Sequence, residues 1–314
     1  MIEVRNVSKF FGEVPVVRDL SFRVAPGEKL VLLGTSGSGK TTTLKMLNRL
    51  LEPDRGTILL NGTDIRGQRP EVLRRGIGYV IQQGGLFPHY SVFENVAVVP
   101  RLLGWPEARI RERVAYLLDL MALPPAQFAA KRPAELSGGQ VQRVGLARAL
   151  AANPGVILLD EPFGALDPIT RSRIRREVSS LAEWREKTMV LVTHDVTEAF
   201  LLADRIALMN GGAIAQLDVP AQLLHQPADA FVRHFFDAHR LQLTWMSQPV
   251  GALLAGLSPL AAGPPDAPVV SADASVWEVL ETLQGHPSPL LGIQRGNGVQ
   301  YVSRQALLAA ASLG

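Results

Sequence analysis

Gly34-Thr35-Ser36-Gly37-Ser38-Gly39-Lys40-Thr41 closes the apolar run Lys29–Gly34 (KLVLLG) and leads into a segment with Leu44, Leu47 and Leu50 at helical spacing. Pro26-Gly27 makes a turn before the run, and an apolar run so bounded suits a strand buried on both faces. The octapeptide has the spacing GxxxxGK[ST], whose glycines let the backbone curl until successive amides point inward at phosphate oxygens. The helix that starts there adds the positive end of its dipole. Lys40 is then expected to neutralise β- and γ-phosphate charge, and Thr41 to ligate Mg²⁺. A Gly-rich turn with no ligand is the plain alternative, and the flanking strand and helix argue against it.

Val156-Ile157-Leu158-Leu159-Asp160-Glu161 carries the second chemical signal. Four apolar residues set a buried strand whose end delivers two consecutive carboxylates. Asp160 is expected to hold Mg²⁺ through water, and Glu161 to polarise the water attacking the γ-phosphate, as general base or positioning group. An acidic pair after a strand usually caps a surface helix, but beside a phosphate loop the chemical reading prevails. A third signal is Leu136-Ser137-Gly138-Gly139-Gln140, where Ser137 is a good N-cap and two glycines leave amides open. Taken as physics alone it is a well-capped helix start or a second anion site.

Outward from these stretches, short strands are expected around Ile2 and Val4, at Val14–Val17 and at Leu20–Val24, then at Thr57–Leu60, Ile77–Ile81 and Met189–Thr193. Residues 91–152 read as mostly helical, with apolar spacing in Ile110, Val114, Leu117, Leu118 and Met121, and a basic-acidic helix is expected over Thr170–Lys187. Strand alternating with helix is the pattern of an α/β fold with a parallel sheet. Gln248–Pro268, rich in Ala, Gly, Pro and Leu, reads as a linker. Beyond it a helix at Val276–Leu283, a hairpin turned at Gly296-Asn297-Gly298 and a last helix at Ala306–Ala311 are expected.

The 314 residues leave room for one large domain and a smaller one, and 47% hydrophobic residues are ample for a core. A mean hydropathy of +0.13 invites a search for membrane spans. The longest apolar stretch, Val250–Gly263, is broken by Ser258 and Pro259 and falls short of the roughly 20 residues a span needs. The absence of cysteine excludes disulfides, zinc-thiolate sites and cysteine nucleophiles, and with no apolar signal core in MIEVRNVSKF a cytosolic location is expected. The net charge of +3 is small and spread, and the arginines of 171–176 alternate with apolar residues, so no nucleic-acid partner is expected.

The phosphate loop, LSGGQ and the Asp160-Glu161 pair, in this order and spacing, resemble the nucleotide-binding domain of ABC transporters over residues 1 to about 237. The resemblance implies a RecA-like P-loop core, an antiparallel β subdomain at the N-terminus and a helical subdomain around residues 90–150. It implies a head-to-tail homodimer around two ATP molecules, with Ser137, Gly138, Gly139 and Gln140 of one copy facing the nucleotide held by residues 34–41 and Thr42 of the other. Phe11 falls where an aromatic stacks on adenine, though locally it reads equally as a core residue. Gln82 falls in the loop that senses Mg²⁺ and the attacking water, Leu166-Asp167 in the loop that crosses the dimer, and His194 where a histidine contacts the γ-phosphate.

The segment Gly78–His89, with Asn95, Val98–Trp105 and Gly34-Thr35-Ser36, closely resembles the ATPases of quaternary-amine importers, which take up glycine betaine, choline and similar osmoprotectants. That implies a peripheral subunit on the cytoplasmic face of the cell membrane, working with permease subunits and indirectly with a solute-binding protein. Leu86, Phe87 and Pro88 would contact the permease, or form a packed turn. An importer for another solute such as an amino acid, and a non-transport ATPase switch, stay open. The expected division is 1–237, a linker 238–268 and a small α+β module at 269–314. This module weakly resembles a single cystathionine-β-synthase-like (CBS) copy, regulatory or dimerising.

Overall fold

The computed structural model describes the chain except residues 82–84, 165–170, 172–183, 185, 258–259, 261, 297 and 314. The chain divides into two compact units, Met1–Asp218 and Val219–Gly314. No helix among the described residues is long and apolar enough to cross a membrane.

The first unit opens with strands β1 (Ile2–Phe11) and β2 (Val14–Val24), which pair antiparallel. The short pieces expected here belong to two long strands. Register shifts between Val4 and Phe10, with Asn6 and Asp19 at φ of 48° and 46°, break the alternation of apolar residues. With β4 (Arg55–Leu60) and β5 (Thr63–Asp64) they form an antiparallel sheet in the order β2-β1-β4-β5.

The second sheet holds β3 (Lys29–Gly34), β6 (Ile77–Val80), β7 (Val156–Asp160), β8 (Thr188–Val192), β9 (Arg205–Asn210) and β10 (Ala213–Asp218), in the order β10-β9-β3-β8-β7-β6. All neighbours are parallel except the edge pair β10–β9. Every residue of β7 and β8 is buried, as strands covered on both faces require. Because β3, β8 and β7 are consecutive and parallel, Gly34, His194 and Glu161 all emerge from the carboxyl ends of adjacent strands, where open α/β sheets bind ligands.

Helix α1 (Lys40–Leu47) follows β3, and α2 (Pro70–Arg75) precedes β6. The helical region resolves into α3 (Val92–Leu102), α4 (Glu107–Leu120), α5 (Pro125–Phe128) and α6 (Gly138–Leu150). Ile110, Val114, Leu117, Leu118 and Met121 are all buried, as their spacing demands. Helix α7 (Val196–Leu202) follows β8. The helix expected over Thr170–Lys187 lies almost wholly outside the described residues.

The second unit contains α8 (Pro220–His225), α9 (Ala230–Asp237), α10 (Arg240–Ser247), β11 (Val269–Ser271), α11 (Val276–Gln284), β12 (Leu290–Arg295), β13 (Gly298–Ser303) and α12 (Arg304–Leu313). Its sheet runs β11-β12-β13. The division expected from the sequence is 1–237, a linker 238–268 and a module 269–314. Residues from Val219 onward belong to the second unit, and a 3₁₀ segment, Val250–Gly256, places Val250 and Leu254 in its core. Four small or apolar residue types in one stretch read as loose chain, but Val250 and Leu254, with Leu257 packed against them, are enough to join the core of this unit.

Candidate functional site

The loop between β3 and α1 is shaped by its glycines. Gly34, Gly37 and Gly39 have φ of 150°, 78° and 94°. A Cβ on Gly39 would sit 2.7 Å from the Val16 carbonyl oxygen, and one on Gly34 would collide with the Met209 carbonyl. Gly37, by contrast, faces open space. Gly39 and Gly34 are thus fixed by close approach to β2 and β9 respectively as well as by dihedral angle.

Lys40 is 8% exposed, and its Nζ donates to the carbonyls of Gly34 and Thr35 at 2.8 and 2.7 Å and reaches Ser38 Oγ at 3.4 Å. Burial pulls its amine below the ordinary lysine value, while the charges of Glu161 and Asp160 act against that shift. Thr41 Oγ1 donates to Asp160 Oδ1 at 2.8 Å. Asp160 is buried, and burial pushes its carboxyl above the ordinary aspartate value, with the Thr41 hydrogen bond partly offsetting it.

Glu161 adopts a left-handed backbone, φ 47°. Its amide donates to the Val192 carbonyl at 2.9 Å, and its side chain lies 3.1 Å from His194 Nδ1. Thr193, whose hydroxyl donates to Glu198 and accepts from the Asp195 amide at 3.0 Å, fixes the turn that presents His194. A cavity of about 460 Å³ is lined by Ser36, Gly37, Ser38, Gly39, Lys40, Thr41 and Thr42 on one side and by Glu161 and His194 on the other.

Val16 also lines this cavity, and nothing in its local sequence singles it out. Gln142 was missed too. Its Nε2 donates to the Glu161 carbonyl at 3.0 Å, and a buried glutamine inside a helix leaves no periodic signal. Phe11 ends β1 opposite Val14, is 50% exposed and is not among the cavity-lining residues. Ser137, Gly138, Gly139 and Gln140 form the start of α6, where Ser137 Oγ accepts from the Gln140 amide at 3.3 Å and Gln140 Oε1 accepts from the Ser137 amide at 2.9 Å. They do not line the cavity. Gln82, Leu166 and Asp167 lie outside the described residues.

The donor set can be tested against a metal. Among the described residues no three His, Cys, Asp or Glu groups cluster as a metal cage. Thr41 and Asp160 nonetheless supply two adjacent hard oxygens, which fits Mg²⁺, an ion that binds through one or two protein groups plus phosphates and water.

The loop after β6 has a different character. Asn95, fully buried, accepts from the Phe87 amide at 2.8 Å and donates to the carbonyls of Phe87, Tyr90 and Ser91 at 3.0–3.2 Å. Arg148 donates to the Gly85 carbonyl at 2.7 Å. Phe87 is thereby held 48% exposed beside a groove of about 460 Å³ lined also by Leu50, Tyr79, Ile81, Val98 and Val99. Burial drives the Tyr79 hydroxyl to about 12.

A family model described as ABC transporter matches residues 17–164. The glycine betaine uptake system ATP-binding protein YehX of Escherichia coli (strain K12) is 49% identical over 247 residues, covering 79% of this chain and 80% of that one. The choline transport ATP-binding protein OpuBA of Bacillus subtilis (strain 168) is 49% identical over 242 residues. The match spans 77% of this chain but 63% of OpuBA, so the chain covers less than two thirds of the length of that relative. A dimeric post-hydrolysis structure of the ATP-binding cassette MJ0796 bound to ADP and Pi superposes with a TM-score of 0.64 at 33% identity, covering 70% of this chain and 98% of that one.

Proposed function

As this chain belongs to the family of ABC transporter ATP-binding proteins, we propose that it hydrolyses ATP to drive uptake of an osmoprotectant such as glycine betaine or choline through separate membrane subunits. The observation that carries the reading is the 49% identity with YehX across four fifths of both chains. Identity falls to 42% with the sulfate/thiosulfate import protein CysA of Pectobacterium atrosepticum, so a different small solute is the weaker reading.

In this reading the amides of residues 34–39 and the Lys40 amine bind the β- and γ-phosphates, with Thr42 at the edge of the same cavity. Thr41, Asp160 and Gln82 would hold Mg²⁺, which when bound neutralises phosphate charge. Glu161 orients and accepts a proton from the attacking water, and the 3.1 Å contact with His194 keeps its carboxylate aimed into the cavity. His194 then faces the γ-phosphate.

Two copies are proposed to close head to tail, because the Ser137 hydroxyl and the amides of Gly138 and Gly139 lie away from the cavity of their own chain and would meet a phosphate held by another. Gln140, Leu166 and Asp167 belong to that contact, and Phe11 to the adenine. The dimeric MJ0796 structures support this arrangement. The groove beside Phe87 is the proposed seat of a permease segment, with a solute-binding protein acting at one remove, on the cytoplasmic face of the membrane. The α+β make-up of residues 269–314 supports a CBS-like regulatory or dimerising module.

Uptake of labelled glycine betaine after osmotic upshift, in cells lacking other betaine systems, tests the whole reading. Cells with the wild-type chain should accumulate it and cells with Glu161→Gln should not. Equal uptake in both would remove the substrate assignment.

A further inference from the structure

Two of the chain's four tryptophans line one cavity of about 480 Å³ in the Val219–Gly314 unit. Trp245 comes from α10, Trp277 and Glu281 from α11, and Arg304 from the start of α12. The aliphatic core of this unit, built on residues such as Val250, Val279, Leu291 and Val302, includes neither tryptophan. Both are half-buried, so they are not needed to fill the interior and keep surface towards the cavity.

The charges on the wall are arranged unusually. Trp277 Nε1 donates to Glu281 at 3.1 Å, which holds a carboxylate beside the indole. The Arg304 guanidinium donates to the His286 carbonyl at 3.5 Å, a long hydrogen bond. Among the described residues neither Glu281 nor Arg304 forms an ion pair, so a negative and a positive group face the same cavity without neutralising each other. Indole faces attract cations without offering hydrogen bonds. A primary ammonium has three donors to satisfy, and this wall gives it one carboxylate; a methylated ammonium has none. A guanidinium fork suits a carboxylate.

We propose that this cavity is a second, non-catalytic ligand site for a small zwitterion, with its methylated ammonium against Trp245, Trp277 and Glu281 and its carboxylate on Arg304. The volume lies in the range of small-molecule sites, about 300–1,000 Å³. Glycine betaine has this chemistry, so the site would read the pool that import fills and adjust the ATPase to it. That regulatory meaning rests on the proposed function; the site itself rests on its own residues.

The test is titration of the purified full-length chain with glycine betaine, choline and glycine, followed by calorimetry and by tryptophan fluorescence. Glycine betaine should bind saturably and change the emission. Choline, without a carboxylate, and glycine, with a primary ammonium, should each bind roughly tenfold more weakly. Arg304→Gln should erase the preference over choline. Trp277→Phe, which keeps an aromatic ring in place, should weaken binding several-fold. Absent saturable binding, equal affinity for choline, an unaltered Arg304→Gln variant, or displacement by AMP would each overturn the site. Binding in a chain whose cells import some other solute would refute the import reading alone, and uptake of glycine betaine without binding would refute this site alone.

Discussion

The side-chain amide of Gln142 donates to the backbone carbonyl of Glu161 at 3.0 Å, tying α6 to the residue that follows β7. The same carbonyl accepts from the Gly164 amide at 3.2 Å, and the Glu161 amide is held by Val192. A left-handed backbone costs a residue with a side chain about 1–2 kcal/mol, so Glu161 stays there because it is gripped from both sides.

Replacing Gln142 by Ala should therefore lower kcat for ATP hydrolysis about tenfold, the worth of one buried hydrogen bond. KM for ATP should hold within about twofold, because the phosphate loop is untouched. Steady-state kinetics on the purified chain read both numbers. An unchanged kcat would mean that Glu161 is positioned without α6.

Asp160 sets stability against chemistry. Its carboxyl is raised first by burial, so the fold disfavours its charged form. The stability this group contributes is complete below the ordinary aspartate value and is lost as pH rises through the raised one. Its proposed use on Mg²⁺ runs the opposite way, failing on acidification through that raised value. Asp160→Asn keeps an acceptor for Thr41 and removes the charge. It should raise Tm by roughly 2–4 °C while hydrolysis falls about a hundredfold. Scanning calorimetry beside a phosphate-release assay decides, and a lower Tm would show that the charge is well compensated.

Asn95 separates coupling from catalysis. Asn95→Ala removes the acceptor of the Phe87 amide and the side-chain donor to three carbonyls, of which those of Phe87 and Ser91 keep a backbone bond, a loss of about 1–3 kcal/mol concentrated in the loop at Phe87–Ser91. ATP hydrolysis by the isolated chain should stay within about twofold of wild type, since the loop lies outside the nucleotide cavity. Solute uptake should drop sharply. Parallel loss of both activities would place the loop in the ATPase itself.

The parts of the molecule that could be read from sequence were those with local rules. KLVLLG and VILLD are strands because an apolar run between turns has few other fates, and the phosphate loop follows because glycine spacing and a helix start coincide. Ser137 could be read as a cap for the same reason, and its box with Gln140 is formed. What escaped was long-range. Val16 meets the loop through sheet packing, and Gln142 meets Glu161 across 19 residues. Composition likewise cannot show that Leu243, Met246 and Val250, which lie in the stretch expected as a linker, are buried. Phe11 carries an aromatic in the expected place, yet the cavity wall beside the loop is Val16.

Lys40 gives the phosphate loop a shape of its own. With its ammonium resting on the carbonyls of Gly34 and Thr35, the loop is braced from inside by the group that is proposed to grip the nucleotide. Preorganisation of this kind means that an incoming phosphate has little chain to order. It also means that a Lys40 substitution is two perturbations at once, a lost cation and an unbraced turn. Weak binding in such a variant measures their sum. Separating them takes a nucleotide-free comparison, in which backbone amide exchange across residues 34–39 reports the brace and leaves the charge aside.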